Sequence, residues 1–111
     1  MKVLVCGGRN YHDSGKVAEV LGEILPDLII TGGATGADQE ARLWAERLGA
    51  PLCLFPAQWD HYGPAAGPIR NAWMLEFGKP DLVVAFPGGR GTANMVSKAR
   101  KAGIEVREVV T

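Results

Sequence analysis

The chain has 111 residues, an ordinary length for one domain, and residues 1–111 are read as a single domain. Apolar residues make up 47% and charged residues 22%, which excludes disorder by composition. Twelve Lys+Arg balance 12 Asp+Glu, so a protein whose main task is coating nucleic acid or an acidic membrane is disfavoured, though a local basic patch is not.

Residues 3–6 are the first predicted strand. Val17, Val20, Leu21 and Ile24 then recur at helical spacing, with Asp13 or Ser14 available as the cap. Residues 28–31 are a second strand. Ala37, Ala41, Trp44, Ala45 and Leu48 form the stripe of a second helix, closed by Gly49 and Pro51. Residues 52–55 are a third strand, and a loop rich in Pro, Gly and aromatics follows over 56–67. A helix is predicted over 69–77, ended by Gly78 and Pro80. Residues 82–86 are a fourth strand. Residues 92–102 are a fourth helix, with Met95, Ala99 and Ala102 on one side, and 104–109 are the last strand. Strand–helix alternation throughout implies an α/β fold, a mostly parallel five-stranded sheet with helices on both faces. The expected order is 3-2-1-4-5, one of the few doubly wound arrangements.

The apolar runs, such as 82–86, are too short to span a bilayer. The first residues meet Gly7 and Gly8 before any long apolar region develops, so no signal peptide is expected and the location is read as cytoplasmic. Cys6 and Cys53 form no metal-binding spacing and read as small buried strand residues.

The chain holds 15 glycines, and many are clustered. Gly7-Gly8-Arg9 follows the first strand, Gly32-Gly33-Ala34-Thr35-Gly36 the second, and Pro87-Gly88-Gly89-Arg90-Gly91-Thr92 the fourth. In a parallel sheet these connections share the carboxyl edge of the strands, where ligands bind at the point of strand-order reversal. Backbone N–H groups at a helix start are unpaired and partially positive, and glycine lets a phosphate reach them. Arg9, Arg70 and Arg90 are placed to add bidentate donors. A phosphorylated small molecule, foremost a nucleotide, is the expected ligand.

Plainer roles compete at several positions. Thr35 with Asp38 resembles a capping box, so Asp38 suits a helix start, a ligand contact or both. Thr92 suits a bare N-cap. Three glycines within residues 88–91 are more than a turn requires, which favours phosphate binding there. The G-x-x-x-x-G-K-[S/T] and G-x-G-x-x-G patterns are both absent, and no acidic residue ends the second strand, so a conventional NAD dehydrogenase is disfavoured. Trp59 suits either stacking on a base or pinning its loop to the domain, and Tyr62 is open. His12 and His61 each neighbour an aspartate without making a metal set, and neither a metal nor a cofactor is expected.

With these motifs the chain resembles the SLOG superfamily, which groups Lonely Guy and DNA-processing A proteins, and is most similar to its short, stand-alone YspA-like branch. The likeness runs through residues 5–9, 32–38, 55–57, 67–71 and 80–92. It implies a Rossmann-like three-layer fold that binds nucleotides or their derivatives. Lonely Guy enzymes hydrolyse the N-glycosidic bond of cytokinin nucleoside monophosphates. Their Pro-Gly-Gly-x-Gly-Thr signature is followed closely by glutamates, with an arginine on the preceding helix. Arg70 matches that arginine, and Asn71 follows it; Asn94 and Met95 stand in the glutamates' places. Neither an amide nor a thioether replaces a carboxylate as base or charge partner.

Three functional readings follow. The first is a nucleotide binder or sensor holding phosphate on Gly88, Gly89, Gly91 and Thr92, with Arg9, Arg70 and Arg90 as charge partners and Gly32, Gly33 and Asp38 on the sugar side. The second is a phosphoribohydrolase-like enzyme with Arg70 and Asp38 as its catalytic pair. The third is single-stranded DNA binding, which neutral charge disfavours. Apolar Leu43, Trp73 and Met74 exceed one helical stripe and leave a homodimer open, as does the resemblance to dimeric Lonely Guy proteins.

Overall fold

A computed structural model of the chain describes residues 1–110. Strands β1 (Lys2–Cys6), β2 (Leu28–Thr31), β3 (Leu52–Leu54), β4 (Leu82–Ala85) and β5 (Glu105–Glu108) form one sheet. Its order is β3-β2-β1-β4-β5, the expected one of the few doubly wound arrangements, and every pairing is parallel. Helices α1 (Ser14–Ile24), α2 (Ala37–Leu48), α3 (Trp59–Tyr62), α4 (Ala66–Gly78) and α5 (Arg90–Lys101) connect the strands. Among the described residues no helix is long and apolar enough to cross a membrane.

The strands sort their side chains by a period of two. Val3 and Val5 of β1 face one side, where they join Val17, Val20 and Leu21 of α1 and Ala37, Ala41 and Ala45 of α2. Leu4 and Cys6 face the other, where they join Met74 of α4 and Met95, Val96 and Ala99 of α5. Two apolar cores on one sheet make three layers. The alanine stripe of α2 lets that helix sit close against the sheet.

Local chemistry sets the helix ends. Asp13 caps α1, its carboxylate accepting the Lys16 N–H at 3.0 Å. Gly49 ends α2 in the left-handed conformation. At the end of α4 the left-handed residue is Lys79, one past the expected Gly78, which still counts as helical. The expected loop over 56–67 is instead largely helical. It holds α3, a 3-10 turn at Gly63–Ala65 and the start of α4. Pro64 and Pro68 do not oppose this, because proline lacks only an N–H that a first turn leaves unpaired. Likewise α5 starts at Arg90, two residues before the expected position, so Gly91 and Thr92 lie in its first turn.

The register decides where the loops go. Val5 pairs with Val84 and Cys6 with Ala85, so the chains leaving β1 and β4 emerge side by side at the point where strand order reverses. Two backbone bonds stitch these exits together: the Phe86 N–H donates to the Cys6 carbonyl and the Gly8 N–H to the Pro87 carbonyl, each at 2.9 Å.

Candidate functional site

A cavity of about 540 Å³ opens over this crossing point. Its first wall is Gly7, Gly8 and Arg9 from the β1 exit, and its second is Gly89, Arg90, Gly91 and Thr92 at the start of α5. Arg70 and Asn71 of α4 stand between them, with Asp38 of α2 below. The volume lies within the ordinary range for small-molecule sites.

The α5 end is the part built for an anion. The first bond of that helix runs from the Ala93 N–H to the Gly89 carbonyl at 3.0 Å. The preceding amides of Arg90, Gly91 and Thr92 have no acceptor among the described residues and carry the positive end of the helix dipole. Side chains at Gly89 and Gly91 would meet no atom within 4 Å, so the chain tolerates a Cβ at both positions, and its absence leaves the approach to the amides clear. Gly88 is different: a Cβ there would lie 2.6 Å from the Gly8 nitrogen, so glycine lets the two loops touch.

Arg70 is held rather than free. Its guanidinium Nη1 donates to the Gly32 carbonyl at 3.0 Å, and its Nε donates to Asn71 Oδ1 at 3.0 Å. Because a guanidinium only donates, this contact orients the Asn71 amide. The Asn71 Nδ2 group must then donate, and it does so to the Gly91 carbonyl at 3.2 Å and to Asn94 Oδ1 at 3.1 Å. Asn71 is 4% exposed, so it ties α4 to the first turns of α5 inside the protein.

Asp38 is also buried. One carboxylate oxygen accepts the Ala34 N–H at 3.2 Å, and the buried Thr31 hydroxyl lies near Asp38 without a hydrogen-bond partner of its own. Burial raises its pKa; the Ala34 amide, Arg70 and Thr31 pull the other way without cancelling that effect. Arg70 is lowered, first by burial and then by neighbouring Arg9, while Asp38 opposes the shift. The thiol of Cys6 is pushed up to about 12, chiefly by burial with Asp38 adding to it, so it is a neutral apolar wall and not a nucleophile. Three arginines and one acidic side chain line the cavity, an excess of positive charge in a chain of zero net charge.

The structure thus brings Gly7, Gly8, Arg9, Asp38, Arg70, Asn71, Gly89, Arg90, Gly91 and Thr92 to one cavity. Gly32, Gly33, Thr35, Gly36, Pro87 and Gly88 do not line it. The Gly32 carbonyl is taken by Arg70, and Pro87 by Gly8. Gly36, at φ +78°, lies against the Gly8 and Arg9 backbone, so it supports the first wall from behind. Neither Thr35 nor Thr92 caps a helix through its side chain; the N-caps are Gly36 and Gly89. The Gly8 amide is spent on Pro87, which leaves the α5 turn as the principal donor set.

Residues not singled out for the site also line it: Cys6, Ala34, Pro64, Gly67, Pro68, Met74 and Asn94. Gly67, Arg70, Asn71 and Met74 recur at helical spacing, a signal that would have revealed this face of α4. Met95 is fully buried in the core, so one of the two positions that hold glutamate in Lonely Guy enzymes does not reach the cavity. Among the described residues, no three His, Cys, Asp or Glu side chains gather as a metal set.

A family model for the YspA, cpYpsA-related SLOG family (YAcAr) matches residues 1–62, more than half of the chain. The chain belongs to that family. The match includes the first two glycine loops and Asp38 of this SLOG protein and ends in α3. A protein of Mycobacterium phage D29, the "Gene 61 protein", is 36% identical over 117 residues, covering 95% of this chain and 93% of its own. The X-ray structure of DNA processing protein A (DprA) from Streptococcus pneumoniae has the same fold, with a TM-score of 0.79 at 19% identity. That likeness covers 99% of the SLOG chain and 50% of DprA, so the chain spans half the length of that protein.

Proposed function

We propose that the protein binds a nucleotide or nucleotide derivative, with its phosphate on the first turn of α5. One observation carries the reading: Arg90, Gly91 and Thr92, whose amides are unpaired among the described residues, line the same cavity as the guanidinium-bearing Arg9 and Arg70. Helix-terminal amides and bidentate guanidinium donors suit a phosphate, which offers several acceptor oxygens and a negative charge. Membership of the SLOG family supports a nucleotide-related role.

The experiment is a thermal-shift panel of nucleoside mono- and diphosphates and their sugar conjugates. At least one should raise Tm, and Arg90→Ala should abolish the rise. Arg90 is exposed, so its loss leaves the fold intact. A flat response over the whole panel refutes the reading.

A hydrolase remains the second reading, because Asp38 is a carboxylate on the cavity wall beside Arg70. Release of free base from a nucleoside monophosphate, lost in Asp38→Asn, would establish it. Tight binding without turnover would leave the protein a binder.

A further inference from the structure

Trp59 stands at the mouth of the cavity on α3, 45% exposed. Its indole lies down on the first turn of α4, where a Cβ added at Gly67 would come within 3.2 Å of Cη2. From the opposite wall, Arg9 sets its guanidinium over the same ring, 5.5 Å from the centroid. This contact bridges the β1–α1 loop and the α3 segment across the opening.

The bridge is weakly held. An exposed cation–π contact is worth only about 0.5–1 kcal/mol. Arg9 is also close enough to Arg70 for their charges to oppose one another. An anion between the two arginines turns that repulsion into attraction and offers bidentate, charge-assisted bonds, which outweigh the indole. Once Arg9 turns inward, one face of Trp59 is uncovered. Gly67 lies against the indole, and Pro64, Pro68 and Met74 add further apolar lining to the same cavity. Those residues give a flat ring a dry surface and offer an isolated phosphate or sugar nothing.

We infer that Trp59 is the specificity element of the cavity, a stacking face for an aromatic base that Arg9 covers until an anion draws it away. This rests on the phosphate reading above and narrows it. The ligand class is a base-bearing nucleotide, as against a sugar phosphate or a free phosphate, because the anion uncovers the face and the ring then occupies it.

The test compares adenosine, guanosine, cytidine and uridine 5′-monophosphates with ribose 5-phosphate by calorimetry. The chains are wild type, Trp59→Ala, Trp59→Phe and Gly67→Ala, each checked by circular dichroism. At least one nucleotide should bind wild type about 5- to 160-fold more tightly than ribose 5-phosphate, the range expected of one stacked base. That advantage should vanish in Trp59→Ala and persist in Trp59→Phe. It should shrink in Gly67→Ala, which displaces the indole without removing it. Ribose 5-phosphate itself should change by less than about twofold in the Trp59 variants. With Trp44 and Trp73 replaced by phenylalanine, the same nucleotide should quench the remaining indole. No advantage in wild type, or one that survives Trp59→Ala, overturns the role of Trp59 and leaves the phosphate reading standing. If neither the nucleotides nor ribose 5-phosphate bind, this inference falls, and the phosphate reading falls with it when the wider thermal-shift panel of diphosphates and sugar conjugates is flat as well.

Discussion

Replacing Gly91 with alanine should make the fold more stable and the anion site worse. Gly91 is the second residue of α5, is exposed, and has nothing within 4 Å of an added Cβ. Glycine costs a helix roughly 0.5–1 kcal/mol relative to alanine, chiefly in backbone entropy. Gly22 of α1 is equally exposed and equally unobstructed, but does not line the cavity. At roughly 2.1 cal/mol/K of unfolding entropy per residue, 111 residues turn that gain into about 2–4 °C of Tm. Gly22→Ala and Gly91→Ala should both show it in calorimetric scans. Only Gly91→Ala places a methyl group where an anion approaches the first-turn amides. It should weaken the best-binding nucleoside monophosphate by at least tenfold, about 1.4 kcal/mol. Stability gained at the expense of binding would mark a glycine kept for its missing side chain. Affinity within about twofold of wild type in both variants would refute the placement of the anion on α5.

Three further outcomes can be measured. Asn71→Ala removes three hydrogen bonds of a buried side chain and should cost about 2–4 kcal/mol in urea unfolding; a loss below about 0.5 kcal/mol would show the network to be idle. Gly36→Ala forces a Cβ onto the Gly8 and Arg9 backbone at positive φ and should cost more than about 2 kcal/mol, whereas Gly89→Ala, with open space, should stay within about 0.5 kcal/mol. The Asp38 carboxyl holds its proton more tightly folded than unfolded. Stability therefore falls as pH rises from its ordinary value near 3.8 through the raised folded value, and is flat above it. Asp38→Asn should remove that slope, and a pH-independent difference from wild type would contradict the burial argument.

Most of the framework was legible because it rests on local chemistry. The β-branched runs gave the strands, the Val17–Val20–Leu21 spacing gave α1, and Gly49 marked the end of α2. The segment over 56–67 was not, because proline and glycine that signal a loop are also tolerated in a first helical turn, and only packing decides between them. The same ambiguity concealed that α5 starts at Arg90.

For the site, residue types and their place after strands were enough to name ten of its lining residues and the three arginines among them. Which glycines face a ligand and which face protein was not in the sequence. Gly89 and Gly91 look no different from Gly36 and Gly88 as letters. The first pair borders open space, and the second allows two backbones to touch. Glycine answers both demands with the same missing Cβ, and only the β1–β4 register decides which demand each one meets. Sequence alone thus determined that this chain folds as alternating strands and helices with glycine-rich connections at the carboxyl edge. Tertiary contact alone decided that Gly8 would spend its amide on Pro87 and leave the first turn of α5 to face the cavity, because long-range pairing settles which donors remain unpaired.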